Sequence, residues 1–156
     1  MRTAFAALAI AATTAAGCKQ AVDDYRNKSK ATEATLELNL IGKLAKVKLG
    51  DLGALPTGTG ALLPPGDKHC CAPADHKCAA APAAFAADPG WAALEFSIDE
   101  PTHYQYSFAS DGKELHAYAI GDLDCDGEAA TYTLSMSVGS DGNPHTLMIE
   151  PPKGVY

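Results

Sequence analysis

Apolar residues recur along this chain in two rhythms, and the change falls near residue 91. Residues 19 to 49 hold no proline, no glycine before Gly42, and plenty of Ala, Leu, Lys and Glu. Such residues lose little side-chain freedom in a helix, so the stretch predicts one long helix. On a helical wheel Leu36, Leu40, Leu44 and Val47 share a face, with Ile41 at its edge. Val22 and Tyr25 project to the same side, but Ser29 and Glu33 interrupt the stripe. The C-terminal half is therefore expected to pack on a core through this face while the N-terminal half stands clear. Gly50 is the expected closing residue.

Residues 51–66, "DLGALPTGTGALLPPG", and residues 72–90, where Ala and Pro surround the cysteines, lack useful periodicity and read as loops. From Trp91 the rhythm changes. "WAALEFSI" has apolar residues at 91, 94, 96 and 98. Tyr104, Tyr106 and Phe108 alternate in the next segment, as do Leu115, Ala117 and Ala119, and then Tyr132, Leu134, Met136 and Val138. "TLMIE" ends the series. The Asp-Gly pairs in "SDGK" (110–113) and "SDGN" (140–143) are hairpin-turn signals. The pattern predicts an antiparallel meander of about four strands. A helix with an apolar stripe and a sheet with one apolar face bury both by packing together, giving an α+β fold with the helix across the sheet and loops around its edges. Trp91, Tyr104 and Tyr106 are expected to fill this core.

The first eighteen residues, "MRTAFAALAIAATTAAGC", form a separate unit. Arg2 opens it, an uncharged apolar run follows from Thr3 to Ala16, and small residues lead to a cysteine. That is the layout of an export signal, too short to span a bilayer. "TAAGC", residues 14–18, resembles the lipobox of bacterial lipoproteins. There the signal peptidase cuts before the cysteine and the sulfur carries the lipid, here Cys18. Ala15 stands where that motif usually has leucine, and an ordinary signal cut after Ala16 is the alternative. The expected division is a signal peptide at 1–17, a lipid anchor and helix at 18–50, and a loop-plus-sheet head at 51–156.

Cysteine parity agrees with this reading. Of five cysteines, lipidation of Cys18 leaves Cys70, Cys71, Cys78 and Cys125, an even set for an oxidising compartment. Adjacent Cys70 and Cys71 are not expected to pair with each other. Two frameworks stay open, 70–78 with 71–125 or 71–78 with 70–125. Charge adds an asymmetry. Residues 19–50 hold seven Lys and Arg against four acids, a net of +3, while residues 51–156 hold four against fifteen, a net of −11. A basic stem suits an anionic lipid surface, and an acidic head disfavours nucleic acid.

Several segments, in order, resemble type IV pilins and type II secretion pseudopilins. "YRNKSKATEATLELNLIGKLAKV" (25–47) resembles the stretch after the hydrophobic part of a pilin helix. "CCAPADHKC", "WAALEFSIDEPTHYQYSF" and "GDLDCDGEAATY" resemble head segments of pilin-like proteins from delta-group bacteria. The likeness covers roughly residues 25–140. It implies a long N-terminal helix on a four-stranded antiparallel sheet, and partners among pilus or secretion proteins. One departure is large: a pilin's membrane-spanning apolar stretch, with its glutamate, is replaced here by the lipobox-like sequence. The expected protein is thus a lipid-anchored, pilin-like envelope protein at the outer membrane, an interaction module and not an enzyme. Its rivals are a minor pilin or pseudopilin within a filament, and a calcium-dependent adhesin.

Calcium takes six to eight oxygens, often from aspartates at alternate positions with a glycine at the tight turn. Asp122, Asp124, Asp126 and Gly127 fit positions one, three, five and six of such a loop, but position twelve is Thr133 and not Glu. A looser calcium site and an exposed acidic turn both remain open. Some pseudopilins bind calcium in this region, which the resemblance makes relevant. Cys125, extended between the aspartates, would point away from them and bond elsewhere. His69, His76 and the nearby cysteines are zinc-type ligands, but their spacing matches no finger and export favours disulfides. His103, His116 and His145 are expected to be exposed. No phosphate loop, nucleophile elbow or HExxH motif is present.

Overall fold

The structure, a computed structural model, describes residues 13–156, with side chains described from residue 21. The expected signal peptide and the Cys18 side chain lie outside the described residues. One helix, α1, runs over Thr13–Leu52, 40 residues. At 1.5 Å per residue it is about 60 Å long. Strand β1 (Thr57–Leu63) follows, then a short turn at Asp67–Cys70. Two short helices come next, α2 (Pro82–Ala87) and α3 (Pro89–Leu94). The rest is a meander of β2 (Gln105–Asp111), β3 (Glu114–Gly121), β4 (Ala130–Val138) and β5 (Pro144–Ile149). The five strands lie in the order β1-β2-β3-β4-β5, each antiparallel to its neighbour.

The protein is therefore α+β, with one long N-terminal helix, a five-stranded antiparallel sheet and two disulfides. The four alternating segments became β2–β5. Their turns use the Asp-Gly pairs as their chemistry suggests: Asp111 Oδ1 accepts from the backbone N–H of Lys113 and of Glu114, each at 2.8 Å, and Gly112 adopts φ +94°. The fifth strand, β1, comes from the stretch read as a loop. Its side-chain pattern is hidden by glycine and by a register irregularity between Gly60 and Leu63. Asp88 and Trp91 satisfy the backbone groups at that irregularity. Asp88 Oδ2 accepts from Ala61 N–H at 3.1 Å, and Trp91 Nε1 donates to the Ala61 carbonyl at 2.8 Å. Asp88 Oδ1 also caps α3, accepting from Gly90 N–H at 2.9 Å and Trp91 N–H at 3.0 Å. "WAALEFSI" accordingly belongs half to α3 and half to an extended segment outside the sheet ladder, and is not a strand.

One face of the sheet is dry. Tyr104, Tyr106, Phe108, Leu115, Ala117, Ala119, Leu134 and Met136 are buried, and α1 crosses them through Ala34, Leu38, Ile41 and Ala45. The expected packing face of α1 is thereby corrected. Leu36, Leu40 and Val47 point outward, and of the wheel residues Ile41 is buried and Leu44 half-buried. Bulky tyrosines on the sheet fill much of the interlayer space, so Ala34, Ala45 and Gly42, where an added Cβ would meet the Leu134 methyls at 3.4 Å, lie among Leu38 and Ile41 on the complementary helix surface. Trp91, on α3, completes the core, with its ring 4.9 Å from Phe108, 5.1 Å from Phe96 and 5.5 Å from Phe85.

Candidate functional site

Most chemistry-bearing side chains gather where the Asp67–Cys70 turn meets the β3–β4 loop. Lys68, His69 and Cys70 all take left-handed backbone, with φ of 50°, 49° and 72°. Such residues cost about 1–2 kcal/mol each away from glycine, so surrounding bonds must hold them. Two disulfides do this, Cys70–Cys78 and Cys71–Cys125. Cys78 pairs in turn with Thr102 through two backbone hydrogen bonds, at 2.8 and 3.1 Å. Gln105, buried at the start of β2, accepts from His69 Nδ1 at 3.2 Å and donates to the Pro64 carbonyl at 2.9 Å. The irregular segment between β1 and α2 is thus stapled to the loop before β2 and to the β3–β4 loop.

In the β3–β4 loop, ligand oxygens of Asp122, Asp124 and Asp126 all lie within 4.8 Å of one another. Asp122 is buried. Its Oδ1 accepts from Asp126 N–H at 3.2 Å and its Oδ2 from Gly127 N–H at 2.9 Å. Each carboxylate oxygen has a second lone pair, so these bonds shape the turn without exhausting its acceptors. Burial, followed by the neighbouring charge of Asp126, pushes the Asp124 carboxyl above its usual value. Thr133 lies within β4 opposite Tyr118, so the position that would close a full calcium loop is held in the sheet.

Cys125 is not extended. Its φ of +59° turns the chain sharply, and Asp122 and Cys125 approach each other across the turn. The Cys71 sulfur rests 2.7 Å from the Asp122 carbonyl oxygen, and His76 Nδ1 lies 3.2 Å from the Cys125 sulfur. Sequence reasoning had grouped His69 with His76. The structure separates them, because His69 is engaged by Gln105.

His103 is also corrected from an exposed residue to a bound one. Glu33 on α1 accepts from the His103 backbone N–H at 2.9 Å, from His103 Nδ1 at 2.8 Å and from the Thr102 hydroxyl. The residue read as an interruption of the helix stripe is therefore a polar latch between α1 and the sheet. Burial opposes ionisation of Glu33, but the hydrogen bonds from His103 and Thr102 outweigh it and hold the carboxyl below its usual value. Glu33 breaking an apolar run was the signal for this latch, though not for its partner. His116 stays on the open sheet face beside Ser135, and His145 is exposed in β5.

The outer side of α1 carries a second apolar face. Val22, Tyr25, Leu36, Leu40 and Val47 are 51, 75, 64, 40 and 56% exposed. Among the described residues no helix is long and apolar enough to cross a membrane. No family model matches the chain, and no curated protein or solved structure gives a match.

Proposed function

We propose that this chain is a lipid-anchored, pilin-like envelope protein, a non-enzymatic module that docks a partner through the outward face of α1. The observation that carries this reading is the exposed row of Val22, Tyr25, Leu36, Leu40 and Val47, on the opposite side of the helix from the buried Ala34, Leu38, Ile41 and Ala45. Large apolar side chains concentrated on one exposed face are the mark of an interaction surface. Lys48 is paired with Glu95 at 2.7 Å, but Arg26, Lys28, Lys43 and Lys46 are exposed on the same helix, which suits a pilus or secretion subunit presenting an apolar helix with acidic flanks. The lipid on Cys18 tethers the module to the outer membrane. Ala34, the first buried residue among those whose side chains are described, lies sixteen helical positions after Cys18, a stem of about 24 Å at 1.5 Å per residue. Calcium belongs to the same reading as an ion bound by Asp122, Asp124 and Asp126, with backbone carbonyls and water completing its shell.

A minor pilin or pseudopilin is the second reading. The same helix face would then pack on neighbouring subunits, and a prepilin peptidase would set the mature N-terminus. Two experiments test the first reading. Cys18→Ser is expected to move the protein from the membrane pellet to the soluble fraction, and retention in the pellet would contradict the anchor. A photo-crosslinking residue at Leu36 or Val47 is expected to capture an envelope protein, whereas capture solely of a second copy of this chain would favour the filament.

A further inference from the structure

We propose that Cys71, His76 and Cys125 form a redox-gated site for a thiophilic divalent cation such as Zn2+, closed while the Cys71–Cys125 disulfide is intact and opened by its reduction. The ligand atoms of these three residues lie within 4.8 Å of one another. Tetrahedral zinc, with bonds of about 2.3 Å to sulfur and 2.0–2.1 Å to nitrogen, needs sulfur and nitrogen about 3.6 Å apart and the two sulfurs about 3.8 Å apart. His76 Nδ1 already stands 3.2 Å from the Cys125 sulfur. Breaking the S–S bond lets the sulfurs relax to van der Waals contact, close to that separation, with the Cα atoms remaining near their present 5.6 Å. His76 and Cys125 both hold left-handed backbone, φ +54° and +59°, which brings their side chains together. Water fills the fourth corner.

The two disulfides differ in a way that makes the gate selective. Cys70 and Cys78 are 1 and 2% exposed. Cys71 and Cys125 are both only half-buried, so a reductant reaches the second bridge first. A dithiol reductant supplies two electrons and two protons as its own thiols become a disulfide, leaving Cys71 and Cys125 as thiols. Zn2+ then displaces those two protons to solvent and binds both thiolates and neutral His76.

The test uses the mature chain, reduced by a water-soluble phosphine that becomes its oxide with oxygen from water. Mass spectrometry identifies the form in which Cys71 and Cys125 alone carry thiols. Zn2+ is titrated against a chromophoric chelator, and Co2+ serves as a spectroscopic substitute. The expected result is one equivalent bound by the reduced form, tetrahedral thiolate–cobalt absorption, and no comparable binding by the oxidised form. His76→Ala, at an exposed position outside the core, is expected to weaken Zn2+ affinity about tenfold or more. Equal binding by oxidised and reduced protein would overturn the proposal, and so would unchanged affinity in His76→Ala.

Discussion

Gly50 and Gly53 sit three residues apart at the end of α1 and have opposite roles. Gly53 has φ +73°, and its N–H bonds to the Leu49 carbonyl at 2.9 Å, so it is the residue that closes the helix. Gly50, the residue expected from sequence to do so, is inside the last turn, and a Cβ there would meet nothing within 4 Å. Gly50→Ala should therefore raise stability by about 0.5–1 kcal/mol, and Gly53→Ala should lower it by about 1 kcal/mol. Denaturant unfolding of the two variants measures both, and equal signs would contradict this assignment. Two glycines near a helix end look alike in sequence because backbone dihedral is a property of the folded chain. The Glu33 latch gives a pH signature. Hydrogen bonding holds its folded pKa below the usual 4.5. Its stabilisation is then complete above the unfolded pKa and is lost as pH falls through the lower folded value. The melting-temperature gap between wild type and Glu33→Gln should be widest near neutrality and close in acid. A gap independent of pH would mean that the carboxylate charge is not what the latch uses.

At the scale of elements, α1 has two apolar faces on opposite sides, and this explains where sequence reading succeeded and failed. Alternation in β2, β3 and β4 was legible because one sheet face is buried and the other open, so period two maps directly onto inside and outside. The helix defeated the same logic. Its packed face is built from Ala34, Leu38, Ile41 and Ala45, two of them alanines, while Leu36, Leu40 and Val47 face outward, so the face with more large apolar residues is not the packed one. Strand β1 was illegible because "TGTGALL" carries glycines and its pairing is irregular beside Gly60. Of the candidate site, the cysteines and aspartates were visible as residue types. The grouping of His76 with Cys125 and the engagement of Glu33 by His103 depend on tertiary placement across 49 and 70 residues. The two helix faces make a direct contrast. Leu38→Ala should cost about 2–5 kcal/mol, because it opens a cavity against the sheet. Leu36→Ala should change stability by no more than about 0.5 kcal/mol and yet weaken partner capture. A large stability loss at Leu36 would mean that this face is part of the core.

For the molecule as a whole, the disulfides and the acidic loop act on the same end of the sheet. Cys71–Cys125 ties the β3–β4 loop to the turn at Asp67–Cys70, and Asp122 contributes to both neighbourhoods, its carbonyl beside the Cys71 sulfur and its carboxylate at the turn. If calcium completes that loop, the ion binds the folded state alone and raises its melting temperature with concentration. Asp124→Ala should then lower the melting temperature in excess calcium and leave it nearly unchanged in chelator. An equal loss in both conditions would identify a plain acidic turn. The central functional claim concerns the N-terminal part of α1, which leads back to Cys18 from this same end of the sheet, where Glu33 is held by Thr102 and His103. It is tested most directly by the intact mass of the protein purified from the membranes of its own cells, with and without full reduction. The expected species begins at Cys18 and carries diacylglyceryl and acyl groups, and reduction of its two disulfides adds four hydrogens. A species without lipid, or one beginning at another residue, would contradict the anchored module.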